Sequence, residues 1–533
     1  MIQMSQTINT DSSYMPQKGM MPFNIYIKLL ALRFKDIFYH ICIKKYEYEI
    51  SITPNNSRVY RKWGIVLYKL GVLKNNSRFY LDSFEKYKKA TELEPDNMLA
   101  YYNWGVALTA LAQMNQDENL YFESIEKYKR AIELNRDNAF AWRAWGYSLS
   151  CLAELKCSRD FYMDSFEKYN EASKLAPNNA SIYQNWGYAL SSLADMDGDE
   201  QFYLKSFEKY GIAANLDRNN AYIYYNWGNA LASLARIRSE EKLYLDSFDK
   251  YEKASELNQH DAGIYTDWGV SLFELAVIKQ DEVLCFSSME KYKKANEIDP
   301  DSAVIYYNWG NALNWMAQLK QDENIYYDSI DKCKKALDID PANANIYGSL
   351  GNSLCELAIM KNDEGLYLEC LEKYKKTLEL NPDINFIYDG WGNALYEFAK
   401  IRNDERLCVE SIEKFELAIK SDPAKLLTYY FLGDAFFCLA GMKQDKKLYH
   451  EAIEKFEKAV ELDMDGKIDL YNMACSYAIV GEKIKALSVL EDILEKNEVE
   501  VNYILSDEDW KDYKDDDDFK NLISKFHSGA PIL

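Results

Sequence analysis

A chain of 533 residues with 85 Asp+Glu against 63 Lys+Arg, and a formal net charge of −22, is poorly suited to a sequence-independent grip on nucleic-acid phosphates. Its 48% hydrophobic and 28% charged residues fit a folded chain rather than a disordered one. Ten Cys without CxxC pairs or zinc-ligand spacing exclude a disulfide framework; Cys355, Cys438 and Cys475 fall at apolar helical positions, as free thiols in a reducing compartment do. There is no Gly-rich phosphate loop, no HExxH and no His close to a Cys in a loop. Cys408 and His450 occupy ordinary variable helix positions. No catalytic set, no metal set and no cofactor are expected, and the chain reads as a non-enzyme.

Residues 1–22 lack a basic stretch followed by an unbroken apolar core, so they do not read as a secretory signal and are expected to be disordered. Residues 1–75 carry 11 Lys+Arg and 4 Asp+Glu, a basic end on an acidic chain. The apolar stretch FNIYIKLLALRF is interrupted by Lys28 and closed by Arg33, short of the ~18 apolar residues of a membrane span. A soluble, cytoplasmic protein is expected. The segment from Phe23 to Lys45 mixes Phe, Ile, Leu and Tyr with Lys28, Arg33, Lys35, Lys44 and Lys45. It suits a capping hairpin with a basic polar face, or contact with an anionic membrane surface or an acidic partner.

From residue 57 one period governs the chain. Gly64, Gly105, Gly146, Gly187, Gly228, Gly269, Gly310, Gly351, Gly392 and Gly433 lie 41 apart, and an eleventh register falls on Ala474. Trp precedes that Gly in eight cases (Trp63, Trp104, Trp145, Trp186, Trp227, Trp268, Trp309, Trp391), with an aromatic three residues before the Trp position and Leu or Phe three residues after the Gly. Such spacing makes one helical stripe, helix A. Nineteen residues past the Gly comes Ser in eight registers, with Cys370 and Ala452 in the others. An aromatic usually follows four on, Ala three beyond, and Pro ends six of the units. That is helix B, stopped by a residue that cannot continue it. Between them runs a polar stretch such as KQDEN, whose Lys suits the end of one helix and whose Asp can cap the start of the next.

Aromatic, Gly, then small, aromatic, Ala and Pro in this order resemble the tetratricopeptide repeat family. Its usual repeat is 34 residues; here the distance from Gly to the small helix-B position is 19 rather than 12, and the seven extra residues predict both helices lengthened by about one turn. Ala474 to Ala486 is 12, so the last unit has the ordinary length. The resemblance implies an all-α, right-handed superhelical solenoid of antiparallel helix pairs. The expected organisation is a disordered segment over 1–22, a degenerate basic hairpin cap over 23–56 in which Cys42, Tyr46 and Pro54 keep the register, ten repeats over 57–466, an ordinary repeat over 467–500 and an acidic capping segment over 501–533. Within the last, DYKDDDD coincides with most of a common epitope tag. Trp510, Tyr513, Phe519 and Leu522 keep the apolar pattern on both sides, so it reads as native, and as a solvated acidic segment rather than a calcium site.

A lone hairpin cannot cover its own apolar face, so the Trp, Gly and Ala positions are assigned to packing. The resemblance places groove residues on helix A, immediately before the Trp and after the Gly. The first row holds Asn103, Asn185, Asn226, Asn308 and Asn472; the second holds Asn229, Asn311, Asn352 and Asn393. Positions three apart share a helical face, so Asn226 pairs with Asn229 and Asn308 with Asn311. A carboxamide donates and accepts, so a ladder of them can clamp the backbone of an extended peptide. One residue further back, Tyr102, Tyr225, Tyr307 and Tyr430 alternate with Arg61, Arg143, Gln184 and Asp389, a variation that would set side-chain preference. On helix B, Glu85 with Lys89 and Glu126 with Arg130 sit four apart as exposed ion pairs. The expected function is a scaffold that binds a protein or extended peptide in the groove, with no nucleic acid partner. The competing expectation is a self-assembling or membrane-surface scaffold working through the basic N-terminal segment.

Overall fold

The computed structural model describes residues 23–463, 468, 470–496 and 499–526. The expected disordered segment 1–22 and the last seven residues of the tail lie outside them. The chain divides into two compact units between Asn258 and Gln259, and repeats 1–5 belong to the first and repeats 6–10 to the second.

Within each unit the architecture is a stack of antiparallel helix pairs, and no strand occurs among the described residues. Repeat 2 pairs helix A, Met98–Asn115, with helix B, Glu118–Leu134; repeat 5 pairs Ala221–Arg238 with Glu241–Leu257. Helix A is 18 residues and helix B 17 in these and in most repeats, which accommodates the added length as whole turns. Helix A stops on a residue in the left-handed region, such as Gln116 with φ 53°, and Asp117 then accepts hydrogen bonds from the amides of Asn119 and Leu120 to open helix B.

The extra turns create a second core layer. In the first layer the helix-B Tyr lies flat on the helix-A Gly: a Cβ on Gly105 would sit 2.6 Å from Tyr128 Cε1. Seven residues further along helix A and seven earlier on helix B the arrangement repeats, with Gly71 against Tyr80, where a Cβ would sit 2.9 Å from Cδ2. Later repeats fill it with Ala112 and Tyr121, Ala153 and Tyr162, Ala194 and Tyr203, all buried. Each such Tyr removes a large apolar area from water, which adds to the stabilisation from the first layer.

Neighbouring repeats are tied at the helix A–helix B edge. The basic end of one helix A reaches the acidic start of the preceding helix B in Lys156–Glu118, Arg238–Glu200 (2.6 Å), Lys320–Glu282 (2.6 Å) and Lys361–Glu323 (3.0 Å). Where the acidic start becomes Arg159, the basic end becomes Asp197, and the pair survives with its charges exchanged. These pairs are largely exposed, so solvent screening leaves them little net stabilisation; they fix register more than stability.

Three expectations need correction. The segment 23–56 is not a hairpin but one helix, Phe23–Ile52. Its second half keeps helix-B register, since Asp36 meets Lys74 at 2.5 Å as the later pairs do. Phe34 and Lys35 stand where repeat 1 has Asn75, which turns left-handed, and Asn76, which caps; without such residues the helix runs on. Lys89, Glu126 and Arg130 form ion pairs three rather than four apart: Lys89 meets Glu92, Lys129 meets Glu126 and Arg130 meets Glu133. Seven of the eight Trp are half-buried, Trp391 alone being fully so. The Lys before the helix-B aromatic lies over each ring, as Lys127 over Trp104 at 4.2 Å and Lys291 over Trp268 at 3.4 Å, so its stem and charge cover a ring face that packing leaves open.

The C-terminal segment caps repeat 11, Tyr471–Val480 with Lys483–Glu495. Trp510, Tyr513, Phe519 and Leu522 are buried against Ala474 and Leu490, and Lys483 Nζ bonds Asp516 and Asp518 at 2.6 Å each.

Candidate groove on helix A

Helix A carries the first-row Asn one residue before the Trp, on the face opposite the small residues that meet helix B. Asn103, Asn185, Asn226 and Asn308 are all half-buried, and none makes a side-chain hydrogen bond to the described residues. Asn311 and Asn393 in the second row are likewise unengaged. Half-exposed carboxamides without internal partners keep both donor and acceptor for a ligand.

Other members of the second row have internal duties. Asn229 Oδ1 accepts from the Tyr251 hydroxyl at 2.8 Å, and Asn352 Oδ1 from the Tyr374 hydroxyl at 2.9 Å. In repeats without Asn there, a hydroxyl four residues past the Gly does the same, Thr109 for Tyr128 and Ser150 for Tyr169, each at 3.2 Å. Asn472 donates to Asp434 at 2.8 Å. Tyr102, Arg143 and Tyr307 line the same face, half-buried, with Arg143 Nε buried and unpartnered; Tyr225 is half-buried too. Asp389 is held by Lys425 (2.7 Å) and Thr428 (2.5 Å).

In the first unit the helix-A face sinks into a cavity of about 430 Å³ spanning repeats 3 to 5. Asn226 and Asn229 form one wall, so the structure brings together one of the two Asn pairs expected to act jointly. Repeat 4 contributes Tyr188, Ser192 and Asp195, and repeat 3 contributes Glu154 and the second-layer Tyr162. Reading the sequence for groove residues missed these last five. For three of them the signal was distance along helix A: Ser192 stands five residues past its Gly, and Glu154 and Asp195 eight past theirs, beyond the rows the family resemblance defines, whereas Tyr188 occupies the second row itself.

Burial raises the Tyr188 hydroxyl above the usual phenol range, and the Glu154 carboxylate beside it adds to the rise. Tyr188 donates to Glu154 Oε2 at 3.5 Å, and Tyr203 donates to Asp195 Oδ1. Cys151, one repeat earlier, accepts from Gln113 at 3.4 Å and has its thiol pushed up to about 12 by burial, which disfavours the thiolate. At the far end of the second unit, Cys475, Asp507 and Asp509 place ligand atoms within 4.8 Å of one another. Asp507 already accepts from the Tyr471 hydroxyl (2.7 Å) and caps Asp509 N (3.0 Å), so it serves the fold.

A Gly stacked under a helix-B aromatic, a small residue four positions before that aromatic and an Ala three after it, repeated through antiparallel helix pairs, make the fold a tetratricopeptide-like helical solenoid with a 41-residue period and lengthened helices. The family described as plant-specific mitochondrial import receptor subunit TOM20 matches residues 366–478, about a fifth of the chain. Among solved structures, yeast Tom70 is 15% identical over 86% of this chain and 98% of its own, with TM-score 0.38. YrrB, described as a TPR protein with an unusual peptide-binding site, is 18% identical over 41% of this chain and 95% of its own, with TM-score 0.28. TTC0263 of Thermus thermophilus is 16% identical over 40% and 98%, with TM-score 0.31. A search of curated proteins finds no match.

Proposed function

We propose that this protein is a non-catalytic scaffold that binds an extended polypeptide along helix A, its backbone held by the first-row carboxamides. The observation that carries this reading is that Asn103, Asn185, Asn226 and Asn308 recur at one register, half-exposed, with no side-chain hydrogen bond to any of the described residues. Leaving such groups unused is neutral in water and becomes useful only when a partner supplies the other half of each bond. The match of residues 366–478 to a family of import-receptor subunits agrees with this class of work.

The test is affinity capture with the wild-type chain and a variant carrying Ala at Asn103, Asn185, Asn226 and Asn308. Asn229 and Asn352 stay untouched because their loss would strand a buried Tyr hydroxyl. Loss of a defined partner with unchanged helicity and melting supports the groove. Equal capture by both proteins rejects it.

A second reading has its own observation. On the helix Phe23–Ile52, Phe34, Ile37, Phe38, Ile41, Tyr48 and Ile52 are exposed on one face, with Arg33, Lys35, Lys44 and Lys45 also exposed. Among the described residues no helix is long and apolar enough to cross a membrane, but this face suits an anionic lipid surface. Co-sedimentation with phosphatidylserine vesicles, lost with Phe34→Glu and Ile41→Glu, would support surface attachment beside cytoplasmic groove binding. No sedimentation with wild type rejects it.

A further inference from the structure

The cavity between repeats 3 and 5 is chemically unlike the rest of the groove. At the register eight residues past the Gly, the chain carries Val72, Gln113, Glu154, Asp195, Arg236, Val277, Gln318, Ile359, Lys400 and Gly441. Acidic residues occupy it only in repeats 3 and 4, and both line this one cavity. Neither Glu154 nor Asp195 forms a salt bridge with any described residue, and no Lys or Arg lines the cavity. The two carboxylates come from successive helices A and line one cavity, so a cation entering it would meet both.

The remaining lining tells what cation would fit. Tyr162 is buried, held in the second core layer, and Tyr188 stands beside Glu154, so two aromatic rings form part of the enclosure. Ser192 and Ser233 add hydroxyls to the lining. A planar guanidinium offers five donors in a fixed fork, can bridge carboxylates on two helices, and stacks on aromatic faces, whereas an ammonium acts as a strongly hydrated point charge. The volume of about 430 Å³ admits such a side chain together with water.

We propose that this cavity is a specificity pocket for the guanidinium of an arginine carried by the bound peptide, with Glu154 and Asp195 as its carboxylate partners and the Asn226 row holding the adjoining backbone. This rests on the groove reading and adds to it the chemical class of the ligand. The pocket exists because of the extra turns: Glu154, Asp195 and Tyr162 all lie in the added layer, which a 34-residue repeat lacks. The added length therefore deepens the groove as well as the core.

The test is selection of a random 12-residue display library on the full chain, followed by binding of one synthetic selected peptide and its Arg→citrulline analogue. The same measurements are made on a variant with Glu154→Gln and Asp195→Asn. Both replacements keep an oxygen for the Tyr188 and Tyr203 hydroxyls, so the fold is spared. Selection of peptides with Arg at a fixed position, loss of about tenfold or more in affinity with citrulline, and loss of that preference in the double variant are the expected results. Free N-acetyl-arginine amide should compete only at far higher concentration; competition equal to the peptide's would assign the site to a small guanidinium compound and overturn the peptide assignment. Peptides selected without a basic preference, yet weakened by Asn226→Ala, would overturn the pocket and leave the groove standing. No selected peptide at all would overturn both.

Discussion

Repeats 6 and 8 place the same Tyr in the same slot and treat its hydroxyl oppositely. In repeat 8, Tyr374 lies on Gly351 and donates to Asn352 at 2.9 Å; in repeat 6, Tyr292 lies on Gly269, fully buried, with no partner for its hydroxyl. The cause is one residue after the Gly: Asn352 in one repeat, Val270 in the other, with Phe273 rather than a hydroxyl four past the Gly. Repeat 1, with Ile65 after its Gly, also leaves the Tyr87 hydroxyl without a partner, although Tyr68 stands four past that Gly. The lesson concerns the Asn rows. A carboxamide in the second row can be part of the core's hydrogen bonding while its neighbour in the first row is free, although both look alike in the sequence.

The contact that both repeats share should matter most. A Cβ on Gly351 would sit 2.7 Å from Tyr374 Cε1, and one on Gly269 2.6 Å from Tyr292 Cε1. Gly351→Ala and Gly269→Ala should each destabilise their repeat by about 1–3 kcal/mol through overpacking. Amide exchange resolved by helix is the measurement, because an array of repeats need not unfold as one unit. Protection unchanged in Glu364–Leu380 after Gly351→Ala would contradict the stacked geometry.

Tyr→Phe then separates the two repeats by sign. Tyr374→Phe removes a buried hydrogen bond and should cost about 1 kcal/mol, whereas Tyr292→Phe removes an unpaired buried hydroxyl and should be neutral or stabilising. Equal losses at both sites in the same exchange experiment would break the comparison. The reverse repair is Val270→Asn, expected to give Tyr292 its acceptor and to stabilise repeat 6 by about 0.5–1 kcal/mol; no gain in melting temperature would mean the carboxamide cannot reach.

The smallest effect is one of pH. Glu356, on helix A of repeat 8, has its carboxyl raised above the ordinary value by burial, with Gln318 partly opposing the rise. A carboxyl with a raised folded pKa holds its proton more tightly when folded, so its ionisation costs stability above that pKa and nothing below the unfolded one. Glu356→Gln should therefore raise thermal stability at neutral pH, with the gain fading as pH falls into the usual carboxylate range. A gain independent of pH would assign the effect to packing.

The sequence by itself determined the period, the two helices of each repeat, their caps and the small-against-aromatic contact, because each depends on residues that recur at fixed spacing. It also marked the first Asn row. Register alone points to a hairpin over 23–56, but Phe34 and Lys35 supply neither the left-handed turn nor the cap, and the helix Phe23–Ile52 is continuous. Tertiary structure decided which carboxamides are free, since that depends on whether a Tyr hydroxyl from helix B arrives beneath them. It also decided the cavity, where Glu154, Tyr188, Asp195 and Asn226 come from three successive helices A and converge only when the repeats stack. A period can be read one repeat at a time, but a pocket built across repeats is a property of their packing.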